Sequence, residues 1–106
     1  MQGVCLKLYT SEIQRHGGML LFEWLLEQGK KMGIGGGTAF RATAGFGRSG
    51  RLLEETFFEL AGELPVELEF LVTEQQADQL LALLAAHQLK LFYVKLPAEY
   101  GVIGQG

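Results

Sequence analysis

The chain has a single cysteine, two prolines and no long apolar run, and each shortage excludes something. With only Cys5, an internal disulfide framework is ruled out, which fits a reducing compartment. Cys5 stands in an apolar, strand-like stretch, so it reads as a small buried hydrophobe before a reactive thiol. The longest unbroken apolar run, Leu80 to Ala86, falls far short of the roughly 20 residues that a membrane span requires. The opening MQGVCLKLYT lacks the basic start and apolar middle of a signal peptide. A soluble, cytoplasmic protein is expected. Its 106 residues suit one domain, 1–106, with 48% apolar and 20% charged residues, the balance of a folded chain.

Charge of one sign is missing from each of two neighbouring stretches. Between Gln28 and Leu53 there are five basic residues (Lys30, Lys31, Arg41, Arg48, Arg51) and no acid. Between Leu52 and Gln88 there are eight acids and no Lys or Arg. An anion would therefore seek the first stretch. Nucleic acid is not an expected partner, because the basic set is small and the formal charge is −3.

Periodicity predicts strand one at Val4–Thr10, then a polar loop from Ser11 to Gly18. The clearest helix runs from Met19 to Met32, with Gly33 as a left-handed cap. Strand two is expected at Thr38–Ala44 and a turn or loop at Gly45–Gly50. Leu52–Leu60 suits helix and strand alike and reads as a mobile loop entering an extended segment. Pro65 opens strand three, Val66–Val72, whose apolar residues alternate with Glu67 and Glu69. Thr73 and Gln76 form a capping box for a helix reaching about His87, and strand four, Leu89–Leu96, ends at Pro97. This order, two split βαβ units, predicts an α+β ferredoxin-like βαββαβ fold: a four-stranded antiparallel sheet with both helices on one face. Apolar residues on both sides of strands two and four suggest that the other face is covered in an oligomer.

Glycine is plentiful, and dense in GIGGGTAFRATAGFGRSGR, residues 33–51. Gly45-Phe46-Gly47-Arg48-Ser49-Gly50 matches G-x-G-x-x-G, but no parallel βαβ unit precedes it, so a Rossmann site is not expected. A Walker loop fails because Arg51-Leu52 follows Gly50. What remains is general chemistry: glycine backbone amides approach an anion closely, and Arg48 and Arg51 add forked donors. On the residues alone, a plain turn with solvated arginines competes with that reading. His16, His87 and scattered acids such as Glu12 lack a metal-ligand spacing such as H-x-x-x-H, so no metal site is expected. His87 reads as a surface residue near a helix C-terminus, His16 and Ser11 as loop caps before ligand contacts in the loop after strand one, and Trp24 as core or interface. No catalytic constellation is apparent, and the chain does not read as an enzyme.

The segment TAFRATAGFGRSG resembles the strand-two region of the PII signalling proteins, whose Gly-Phe-Gly-Arg run stands at the base of a mobile T-loop. LKLYTSE, HGGMLLFEWLLE, FFELAGELPVELEFLV and LPAEYGVIG are similar to a narrower PII-like group catalogued as a domain of unknown function. The resemblance implies a homotrimer that binds an adenine nucleotide or another small anion, such as bicarbonate, in clefts between subunits. Some relatives are linked to bicarbonate handling in carbon-fixing bacteria, and others accompany fluoride channel genes, so a membrane transporter or channel is the implied partner. The candidate ligand-binding residues are Gly45, Gly47, Arg48 and Arg51, with Arg41 and Thr38 from the strand before them. Ser49 replaces the Gln that PII proteins use for metal and nucleotide contact. AHQLK lacks their glycine-rich phosphate loop, and the ending lacks their paired arginines. The expected ligand is thus AMP or ADP before ATP, with no cofactor required. The alternative is a small-molecule-binding metabolic enzyme of the same fold.

Overall fold

The computed structural model of the chain describes residues 1–45 and 64–104. In chain order these form β1 (Gln2–Ser11), β2 (Arg15–His16), β3 (Met19–Leu20), α1 (Leu21–Lys31), β4 (Gly37–Arg41), β5 (Pro65–Val72), α2 (Glu74–Ala86) and β6 (Phe92–Glu99). The four longer strands make one antiparallel sheet in the order β4-β5-β1-β6, the ferredoxin-like arrangement.

Alternation sets the two faces. Val4, Leu6 and Leu8 of β1 pair in register with Val72, Phe70 and Leu68 of β5, and all six are buried. Against them pack Leu21, Trp24 and Leu25 of α1 and Ala77, Leu80 and Leu84 of α2. Each such large side chain taken out of water stabilises the fold by about 1.5–3 kcal/mol. The opposite face carries Cys5, Lys7 and Tyr9 of β1, Glu67, Glu69 and Leu71 of β5, Thr38 and Phe40 of β4, and Phe92, Val94 and Leu96 of β6. Lys7 stands 3.9 Å from Glu67 and 3.7 Å from Glu69, so one cation is shared by two carboxylates at its centre.

Both helices end in the same device. At α1 the Gly33 amide donates to Lys30 O and the Ile34 amide to Gly29 O, with Gly33 at φ +82°. This is a Schellman motif, and buried Ile34 supplies its apolar contact. At α2 the Gln88 amide donates to Ala85 O and the Leu89 amide to Leu84 O, but here Gln88 occupies the left-handed position at φ +61°. A side chain in that conformation costs about 1 kcal/mol that glycine avoids. Gln88→Gly is therefore expected to stabilise the protein by up to about 1 kcal/mol in urea denaturation. No gain would mean that the Gln88 side chain contributes a compensating contact. The predicted capping box opens α2: the Gln76 amide donates to Thr73 Oγ1 and the Thr73 amide to Gln76 Oε1, both at 3.0 Å.

Of the boundaries that differ from expectation, three bear on the fold. Met19 and Leu20 do not begin the helix; they pair with His16 and Arg15 across Gly17 and Gly18, at φ +60° and +83°. A two-residue turn with both φ positive suits a tight hairpin, so the Gly-Gly pair was a hairpin signal inside a supposed loop. The last strand covers Phe92–Glu99, not Leu89–Leu96, and Pro97 lies within it opposite Val4. β6 is an edge strand, where proline's missing N–H need not break the ladder. β4 ends at Arg41 instead of Ala44, although the Ala42 amide still donates to Pro65 O at 2.9 Å. The ambiguous Leu52–Leu60 stretch and the turn from Phe46 onward lie outside the described residues.

Candidate functional site

Two places on the sheet gather the candidate residues, at opposite ends. At one end β1 finishes at Ser11 beside the start of β5 at Pro65, and β4 finishes at Arg41 opposite Val66. Ser11 is buried and its Oγ accepts from the Gln14 amide at 3.1 Å, turning the chain so that Glu12 faces both neighbours. Glu12 Oε1 lies 3.3 Å from Arg41 Nε, and Glu12 Oε2 accepts from the Leu64 amide at 3.1 Å. The Glu12 amide in turn donates to Leu64 O at 3.1 Å. A single residue thus clasps both flanks of the segment 46–63. Gly45 packs here as well: a Cβ on it would meet Pro65 Cγ at 3.1 Å.

This geometry gives Arg41 a partner. Its side chain remains 65% exposed, so the ion pair is solvent-screened and contributes little to stability, and an anion reaching the guanidinium competes with Glu12. Arg41 and Gly45, both candidates from the sequence, lie at this end of the sheet, and Glu12, which was not among the candidates, reaches Arg41 and Leu64. The similarity of LKLYTSE to the PII-like group was the available signal, since it ends on that glutamate. Gly47, Arg48 and Arg51 lie outside the described residues.

Thr38 is elsewhere. It pairs with Glu69 on the uncovered face, whereas Arg41 pairs with Val66, a residue of the helix-covered side. Thr38 lines a cleft of about 500 Å³ at the other end of the sheet, with Gly35–Gly37, Glu69, Leu71 and Tyr100–Val102. The structure therefore divides the candidate set. The tail residues that wall this cleft belong to the ending LPAEYGVIG, which resembles the PII-like group. They are fixed by the sheet end: the Tyr100 amide donates to Met1 O at 2.9 Å, and the N-terminal ammonium donates to Tyr100 O at 2.8 Å.

Cys5 is half-buried on the uncovered face and not in the core. Burial, with Glu69 and Glu67 nearby, pushes its thiol pKa up, so it is a poor nucleophile at neutral pH. Burial and a hydrogen bond to Glu67 push the Tyr9 phenol up in the same way. Among the described residues no helix is long and apolar enough to cross a membrane.

Sheet order and helices packed on one face define a ferredoxin-like fold of the PII-like kind. A solved structure from Thermus thermophilus, assigned to the PII-like signaling proteins, shares it with a TM-score of 0.58, covering 92% of this chain and 90% of that one at 16% identity. Residues 3–92 match DUF190, described as an uncharacterized ACR, and the chain belongs to that family. It is also 34% identical over 76 residues, 72% of each chain, to a UPF0166 protein of Aquifex aeolicus (strain VF5).

Proposed function

We propose that the protein is a non-enzymatic, homotrimeric sensor of the PII-like kind, acting in the cytoplasm. Its ligand is a small anion, AMP or ADP before ATP, or bicarbonate, held at the subunit cleft beside Gly45. Its output is the regulation of a partner, for which a membrane transporter or channel is the best candidate, through the 48–63 loop. The observation that carries this reading is the Glu12 clasp. Arg41 before the segment and Leu64 after it are held by one carboxylate, at 3.3 and 3.1 Å. An anion drawing Arg41 away from Glu12 perturbs the carboxylate that also holds Leu64. A binding event at the base of the segment is thereby passed to its return end.

The experiment is calorimetric titration of wild type, Arg48→Ala and Arg48→Lys with AMP, ADP, ATP and bicarbonate. A charge-assisted bond contributes about 1.5–3 kcal/mol, so Arg48→Ala is expected to weaken binding roughly ten- to hundredfold. Arg48→Lys should recover part of the loss, because an ammonium lacks the planar fork. Equal affinities across the three proteins would remove Arg48 from the site, and turnover of the nucleotide would favour the enzyme reading.

A further inference from the structure

Two histidines 71 residues apart in the chain meet at the surface. His16, in the small β2–β3 hairpin, and His87, the C-cap of α2, bring Nε2 and Nδ1 to 3.2 Å of each other. Trp24 of α1 backs them both. Its ring lies edge-on to His16 at a centroid distance of 4.5 Å and to His87 at 4.9 Å, and the two imidazoles are themselves 5.2 Å apart. Trp24 is only 8% exposed, so it is a fixed wall against which both rings are oriented. His87 is exposed and His16 half-buried, leaving the meeting point open to solvent.

As a hydrogen bond, this contact needs one ring to present N–H and the other a lone pair. In water such a bond adds little, because both groups are satisfied by solvent when apart. The same spacing has a second chemical meaning. Zinc bound tetrahedrally by imidazole at about 2.0–2.1 Å holds two donor nitrogens about 3.3–3.4 Å apart. We propose that His16 and His87 form a binding site for a divalent transition metal ion, zinc or copper, bridging the β2–β3 hairpin and the end of α2. The ion replaces the proton between the rings. The imidazole that had donated there moves its N–H to its other nitrogen, and both rings then offer lone pairs. Among the described residues no group of three His, Cys, Asp or Glu surrounds such an ion, so water completes its shell and the site is exchangeable. Imidazole suits zinc and copper better than magnesium or calcium, which prefer oxygen donors. Sequence spacing concealed the pair because neither histidine has a second histidine or a cysteine near it along the chain; the fold alone joins them.

The test is titration of the full-length chain with Zn²⁺, comparing wild type with His87→Ala and His16→Ala, and with Cys5→Ser as a control. Loss of an outer-shell partner of a metal ligand already costs about 10–100-fold in affinity, so loss of one of two ligands should cost at least about tenfold. Cys5→Ser should bind as wild type does. The chain's one tryptophan supplies an independent readout: Cu²⁺ bound beside Trp24 should quench its fluorescence, and His87→Ala should abolish the quenching. His87 is exposed, so that variant is expected to keep its circular dichroism spectrum, and it decides the matter if His16→Ala misfolds. Zinc binding that is equal in wild type and His87→Ala would mean adventitious surface binding. Neither binding nor quenching in the wild type would leave a hydrogen-bonded pair only; either result overturns the proposal.

Discussion

Phe70→Ala is expected to destabilise the fold by about 3–5 kcal/mol, the usual cost of emptying a buried aromatic site. Phe70, two residues from the end of β5, is 1% exposed. Two glycines shape the hollow for its ring. A Cβ on Gly29 of α1 would stand 2.9 Å from Phe70 Cε1, and one on Gly37 of β4 would stand 2.5 Å from the same atom. Helix and edge strand thus approach β5 closely only because neither carries a side chain there, and the ring fills the space between them. Removing it leaves a cavity in which the walls at Gly29 and Gly37 have no side chain to collapse inward. The reciprocal change, Gly37→Ala, should also destabilise by pushing the ring. Combined with Phe70→Leu, it should cost less than the two single changes added, since the pair is in contact. Urea denaturation at a fixed protomer concentration measures all four proteins. A loss below about 1 kcal/mol for Phe70→Ala would show that the hollow refills by rearrangement.

That interlock also shows what the sequence could and could not reveal. Alternation in Val66–Val72 disclosed which side of β5 is buried, because period two is a local property. The Thr73–Gln76 box was legible for the same reason: both bonds close within four residues. Gly29 and Gly37 carried no message by themselves, because their meaning depends on a phenylalanine contributed by another element. Boundaries failed where tertiary pairing outweighed local preference. Met19 and Leu20 continue the apolar pattern of α1, yet the Gly17-Gly18 turn folds them back onto Arg15 and His16. Pro97 reads locally as a stop, but at a sheet edge it is tolerated inside the strand. In the candidate site, Arg41 and Gly45 are neighbours along the chain, while parity on the strand turns Thr38 to the other face. Glu12 escaped attention because its role exists only once β1 and β5 are side by side.

The uncovered face of the sheet supports the second large expectation, a change of assembly. Phe40 and Phe92 on the two edge strands are 49% and 50% exposed, and Leu71 and Leu96 between their far ends are 46% and 45% exposed. Together with half-buried Cys5, Tyr9 and Val94 they form an apolar surface around the Lys7, Glu67 and Glu69 charges. If the proposed homotrimer covers this face, wild type should give a light-scattering mass about three times 11.7 kDa. Leu96→Glu then places a carboxylate in each buried interface, and an unpaired buried charge costs several kcal/mol. Symmetry repeats that cost in every protomer. The variant should run near 11.7 kDa at micromolar concentration. Its circular dichroism should be unchanged, because Leu96 faces away from the core beneath the helices. A wild type that runs as a monomer would refute the trimer, whereas a Leu96→Glu protein that stays assembled would place the interface on another surface.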